Sequence, residues 1–184
     1  MGIRFNRGDK KGVLHYITIN VRDKATIFSH SQFALIVLQE LSRRCRRQQA
    51  KLVAYVIMPD HIHIIINIRD GTVSIFLAQF KQAVTRRINE QMHVDENDKH
   101  LSWLNRSGHP ELWQDGKHDF FIYCIEMLKQ KIDYIHANPV RACLVEHAED
   151  YKYSSFCASY EGFGESIIPV DKEYWWDDDE AEVL

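Results

Sequence analysis

Hydrophobic and polar residues alternate over 13–21, with Val13, His15, Ile17, Ile19 and Val21 set against Leu14, Tyr16, Thr18 and Asn20. This is the period of a strand with two unlike faces. From Ser31 to Gln49 the period becomes helical, through Phe33, Ile36, Val37, Leu38, Leu41 and Cys45. Leu52 to Met58 predicts a second strand. Only Pro59-Asp60 separates it from His61–Ile68, so the two are expected to pair as a hairpin. Asp70-Gly71-Thr72 breaks the chain, with Thr72 placed to cap a second helix. Val73, Phe76, Leu77, Phe80, Val84, Ile88 and Met92 form that helix's stripe. Residues 93–110 read as a polar loop and Glu111-Leu112-Trp113-Gln114 as a short strand. A helix is expected from Asp119 to Asn138, with Phe121, Cys124, Ile125, Leu128, Ile132 and Ile135 inward, and Pro139 is expected to stop it. The order strand, helix, strand, strand, helix, strand and then a terminal helix predicts a ferredoxin-like α+β antiparallel sheet with helices on one face.

Composition narrows the class. With 184 residues, 45% of them hydrophobic, the chain can fill one core, and residues 1–160 read as a single domain. Residues 161–184 read as an extension whose acidic tail is partly disordered. No apolar run approaches the roughly 20 residues of a membrane span. Arg4, Arg7, Lys10 and Lys11 leave no room for a signal-peptide core, so a cytoplasmic location is expected. Cys45, Cys124, Cys143 and Cys157 show neither zinc-knuckle nor disulfide spacing. The net charge of −3 conceals a basic body. Residues 171–184 hold Asp171, Glu173, Asp177, Asp178, Asp179, Glu180 and Glu182 against Lys172, and setting them aside turns the total to +3. Such a body is compatible with a nucleic-acid partner.

The candidate chemistry starts in the hairpin's second strand. Alternation puts Ile62, Ile64, Ile66 and Ile68 on one side, and His61, His63, Ile65 and Asn67 on the other. The two imidazoles are then about 7 Å apart along the strand, close enough to converge on one ion or one phosphate. Half-buried histidines bonded to nearby carbonyls are the plainer alternative. Arg43, Arg44, Arg46, Arg47 and Lys51 close the first helix, where they suit either its dipole or a phosphate; Lys81, Arg86 and Arg87 on the second are open to the same two readings. In the last helix Tyr134 and Asn138 are neighbours at i and i+4, a phenol and an amide oxygen beside each other. They could complete what the histidines begin, or be a packed ring and an ordinary helix cap.

His61-Ile62-His63 after Met58-Pro59-Asp60, with Tyr134-Ile135-His136-Ala137-Asn138-Pro139-Val140-Arg141-Ala142, resembles the single-tyrosine HUH transposases, most closely the REP-associated tyrosine transposases. Leu112-Trp113-Gln114 and Asp150-Tyr151-Lys152-Tyr153-Ser154-Ser155-Phe156 extend the likeness over residues 13–160. The resemblance implies an HUH nuclease fold that nicks single-stranded DNA beside palindromic hairpins. It implies Tyr134 as nucleophile, and His61, His63 and Asn138 as ligands of Mg²⁺ or Mn²⁺. Single-stranded DNA hairpins are the implied partner, with the protein a monomer or homodimer located at the nucleoid when bound; phosphate contacts are expected from Arg43, Arg44, Arg46, Arg47, Lys51, Lys81, Arg86, Arg87 and Arg141. Two positions depart from the family pattern: Asp60 replaces an asparagine, and Cys143 replaces a glycine, which suggests a turn outside the glycine-only conformation. A hairpin-binding protein without turnover, a histidine-triad hydrolase and a structural zinc protein are the other classes. Position 65 is Ile where the triad needs a third histidine, and no second ligand cluster is present for zinc.

Overall fold

Four strands form one antiparallel sheet in the order β2-β3-β1-β4: β1 is Leu14–Asn20, β2 Ala50–Ile57, β3 His61–Ile68 and β4 His118–Ile122. The computed structural model describes residues 13–94, 112–115, 118–160, 162 and 165–174. The described residues also form helices α1 (Ser31–Arg47), α2 (Val73–Val94), α3 (Ile125–Arg141) and the single turn α4 (Phe156–Ser159). The expected hairpin forms with Ile57 opposite Ile62, and Thr72 Oγ1 caps α2 by accepting from the Ile75 N–H at 3.2 Å.

The strand period sorts residues onto two faces. Ile17, Ile19, Ile62, Ile64 and Ile66 face α1 and α2, where Phe33, Phe76 and Phe80 are wholly buried. Each such ring contributes on the order of 2 kcal/mol through apolar burial. Buried Glu40 joins the two helices by accepting from Arg43 and Arg87. The helices of the ferredoxin-like unit therefore share one face, as the pattern predicts. The terminal helix takes the other: Leu128 and Ile135 of α3 pack on Val53, Val56 and Ile65. A bulge between Leu52 and Ala54 turns both Val53 and Ala54 toward that second face.

A buried hydrogen-bond chain seats α3. The Nε2–H of His136 donates to Ser155 Oγ at 2.8 Å; that oxygen accepts from the Tyr55 N–H and donates to the Tyr55 carbonyl. Residues 165–174 of the expected extension also belong to the fold. Ile168 is buried on the α1–α2 side and Tyr174 packs on the α3 side. Between them the Asp171 N–H donates to the Leu52 carbonyl at 2.7 Å, and Asp171 Oδ2 accepts from the Leu52 N–H at 2.8 Å. This strap pairs with β2 where that strand would otherwise present an open edge.

Four local expectations are corrected. The fourth strand is His118–Ile122, whereas Trp113 makes a single bridge to Val21 and Leu112 enters the core. Pairing with β1 decides this, because Leu14 opposite Ile122 outweighs the helical spacing of Phe121 and Cys124, and α3 begins only at Ile125. Pro139 does not stop the helix, which runs to Arg141. A proline is tolerated in this last turn because the backbone is tied beyond it. Leu144 N–H donates to the Pro139 carbonyl and Cys143 N–H to the Val140 carbonyl, both at 2.9 Å. Those two bonds are the Schellman pattern, and Cys143 occupies its left-handed position at φ 55°. The turn is therefore in the conformation that favours glycine, although a cysteine stands there. Glu111, residues 1–12, most of the expected 93–110 loop and the acids beyond 174 lie outside the described residues.

Candidate active site

The site lies at the end of the sheet where β3 begins. Thr18 is paired with His63 and Asn20 with His61, so the second face of β1 adds a phenol, a hydroxyl and an amide to the two imidazoles. Phe120 of β4, opposite Tyr16, forms a further wall. From above, α3 contributes Lys131 and Tyr134. The cleft, about 560 Å³ and open to solvent, is also lined by Asp60 and Lys24.

Each histidine has one nitrogen taken. His63 Nδ1 lies 2.8 Å from Thr18 Oγ1 and 2.9 Å from Tyr16 Oη. His61 Nδ1 lies 2.6 Å from Asp60 Oδ1. Placing the proton on Nδ1 lets it donate to the carboxylate at His61 and to the nearer hydroxyl, Thr18 Oγ1, at His63, and leaves both Nε2 lone pairs unused. Imidazoles that ligate metals are held by such a bond from the other ring nitrogen. Asp60 is the group that orients His61. Burial, with smaller contributions from His61 and Lys131, pushes His63 down to about 3, so its ring is neutral at physiological pH. Neutral imidazole is the ligating form. Burial also raises Tyr16 to about 12 and keeps it a phenol.

Tyr134 stands over this floor with its ring 5.6 Å from that of His63 and 6.3 Å from that of Tyr16, edge-on to both. Unlike Tyr16, it is substantially exposed, at 37%. The Arg141 guanidinium lies 5.3 Å from its ring centre and the Lys131 ammonium 5.9 Å. Asn138 is one turn on, with its Nδ2–H donating to the Tyr134 carbonyl at 2.8 Å; it is not among the residues lining the cleft. Arrangement and chemistry together give a nucleophile-bearing helix above a two-histidine floor.

Residues 11–138, well over half of the chain, match the model of the family described as "Transposase IS200 like". The chain belongs to the IS200-like transposase family. It is 22% identical over 161 residues to the REP-associated tyrosine transposase of Escherichia coli, covering 88% of this chain and 85% of that one. A Haemophilus influenzae protein assigned to the same group is 27% identical over 154 residues, 83% of this chain and 84% of the other. In three dimensions the chain resembles a REP-associated tyrosine transposase solved bound to a REP hairpin, with a TM-score of 0.66 at 18% identity, covering 94% and 96% of the two chains. That likeness shows the fold. Among the described residues no helix is long and apolar enough to cross a membrane.

In this transposase-family chain the predicted site residues are not all brought together. His61, His63 and Tyr134 line the cleft, with Arg141 against the Tyr134 ring and Asn138 one turn on, outside the lining. Arg43, Arg44, Arg46, Arg47, Lys81, Arg86 and Arg87 belong to α1 and α2, on the other side of the sheet. Arg43 and Arg87 bind Glu40, Arg86 pairs with Glu90, and Arg44 donates to Gln79. Lys51 is the second residue of the edge strand β2, at the end remote from the histidines. Tyr16, Thr18 and Lys131 are members of the cleft that the sequence reading passed over. Two signals pointed to them: Tyr16 and Thr18 alternate on the polar side of β1, and Lys131, Tyr134, Asn138 and Arg141 share one helical stripe.

Proposed function

We propose that this protein is a metal-dependent single-stranded DNA endonuclease and strand transferase that nicks beside palindromic hairpins through a 5′-phosphotyrosine intermediate. The observation that carries this reading is the exposed Tyr134 phenol edge-on to a neutral His63, beside a second imidazole whose Nε2 is likewise unused. Family membership supplies the transposase class. The hairpin partner is proposed from the solved structure described above.

The donor set fits a small divalent ion. His61 and His63 would supply nitrogens and Asn138 its Oδ1, which is left over when Nδ2 bonds the Tyr134 carbonyl. Since Asn138 does not line the cleft, it would complete the set by turning its side chain inward. Bound there, Mg²⁺ or Mn²⁺ would offset negative charge on the scissile phosphate. The protein's own groups do the rest. Asp60 and Thr18 hold the imidazoles in the ligating tautomer. The His136–Ser155 bond sets the register of α3, fixing Tyr134 over the floor. Attack by the Tyr134 Oη on phosphorus releases a 3′-OH and keeps the bond energy in a phosphotyrosine link, so attack by another 3′-OH rejoins strands without ATP.

Tyr134→Phe tests the assignment. It removes one oxygen, so stability should change by no more than about 1 kcal/mol and hairpin binding should persist. Single-stranded DNA from the flanks of the protein's own gene, incubated with Mg²⁺ or Mn²⁺ and run on a denaturing protein gel, should give a covalent band with the unmutated protein and none with the variant. An adduct in the phenylalanine variant would exclude Tyr134 as nucleophile. Tight hairpin binding by the unmutated protein, with no adduct under any ion, would favour a DNA-binding module.

A further inference from the structure

Lys131 makes no ion pair among the described residues. Asp60, the acid among the residues lining the cleft, is engaged by His61 at 2.6 Å. Instead the Lys131 ammonium lies 4.9 Å from the Tyr16 ring centre and 5.9 Å from that of Tyr134. Ring faces orient an ammonium through roughly 0.5–2 kcal/mol of quadrupole attraction without cancelling its charge. The result is a cation steered over the cleft with its hydrogen-bonding capacity free. It sits three residues before the proposed nucleophile on the same helical face, so the two side chains address the same space. Phe120, half exposed, and Tyr16 wall that space beneath the ammonium.

We propose that Lys131 is a catalytic residue, its ammonium binding a non-bridging oxygen of the phosphodiester that Tyr134 attacks. This assignment rests on the nicking reaction proposed above. In that step the Tyr134 Oη–P bond forms and the P–O3′ bond breaks. The electron pair leaves on the 3′ oxygen, which takes a proton from water, while the phenol proton passes to solvent. Lys131 stays an ammonium throughout. Its charge meets the non-bridging oxygens where negative charge gathers, and a donor fixed in advance at such a point contributes more to rate than to binding.

The test uses the full chain with two substitutions, Lys131→Met, which keeps length and removes charge, and Lys131→Arg, which keeps charge. With a hairpin oligonucleotide from the flanks of the protein's own gene and Mg²⁺, the Met variant should form the adduct about 100-fold more slowly. The loss should fall on kcat, with hairpin affinity within about threefold, and Arg should recover most of the rate. Adduct formation by the Met variant within about threefold of the unmutated rate would overturn the proposal, as would a loss of hairpin affinity matching the loss of rate. A second measurement needs no turnover: inorganic phosphate titrated onto each protein and followed through the Tyr16 and Tyr134 ring signals by NMR. Phosphate binding about tenfold weaker in Lys131→Met, the scale of one charged hydrogen bond, supports the assignment, and equal binding overturns it. If the unmutated protein forms no adduct, the nicking reaction fails while this titration still decides Lys131.

Discussion

The two faces of one sheet are built from the same strands and do different work. Toward α1 and α2, β1 and β3 present Ile17, Ile19, Ile62, Ile64 and Ile66, all at or near zero exposure. Toward α3 the neighbouring positions are Tyr16, Thr18, Asn20, His61 and His63, which line the cleft. Strand geometry separates these sets by one residue, so each chemical group on the open face has an anchoring isoleucine beside it in sequence. Rigidity and reactivity are thus divided across the sheet. The hydrocarbon face fixes the backbone, which lets the polar face hold imidazoles in place before any ligand arrives.

Adjacent residues of β3 should respond in opposite ways. His63→Ala should abolish adduct formation, a loss of at least about 100-fold if one of three ligands is removed, and should leave a folded protein. Ile64→Ala should do the reverse, costing about 3 kcal/mol of stability through the cavity it leaves while activity per folded molecule stays near normal. Urea melts alongside adduct assays check both, and equal loss of activity per folded molecule would show that the faces are not independent.

Acid should expose the polar face selectively. Burial pushes His63 to about 3 and His136 to about 4, from an ordinary 6.5. Both are neutral when folded, whereas the unfolded chain takes up protons on them once the pH falls below about 6.5. Protons thus favour the unfolded state, so stability should drop as pH goes from about 6.5 toward 4 and level off below the folded values. Urea midpoints measured across that range test the sign, and Asn in place of His136 should flatten part of the slope.

The cations offer a smaller contrast. Arg141 stands beside Tyr134, while Arg46 and Arg47 are exposed on α1 behind the sheet. Arg141→Ala should weaken hairpin binding several-fold, by about 1 kcal/mol for one phosphate contact, and reduce the salt dependence by about one charge. Arg46→Ala and Arg47→Ala should each have less effect. A larger loss from either would mean that DNA also wraps over α1.

The smallest effect expected is a gain. Cys143 holds a left-handed conformation at φ 55°, and Cys143→Gly should relieve roughly 1 kcal/mol of it, raising the melting temperature without altering adduct formation.

Much of this was present in the order of residues. Period-two alternation located β1 and β3 and assigned every residue of His61–Ile68 to its face, because sidedness in a strand follows from covalent geometry alone. The stripe Val73, Phe76, Leu77, Phe80, Val84 and Ile88 located α2 for the same reason, and family motifs singled out Tyr134. What the sequence could not decide depended on partners distant in the chain. His118–Ile122 became a strand because β1 had an unpaired edge, not because of its own spacing. The helix continued through Pro139 because the residues after it close the turn. Nothing local announced that α3 would cross the sheet on the face opposite α1 and α2, yet that crossing brings Lys131 and Tyr134 over histidines some seventy residues earlier in the chain. Local periodicity says which way a side chain points; only packing, which rewards burial of a helix's apolar stripe against whatever surface is left uncovered, decides what it faces.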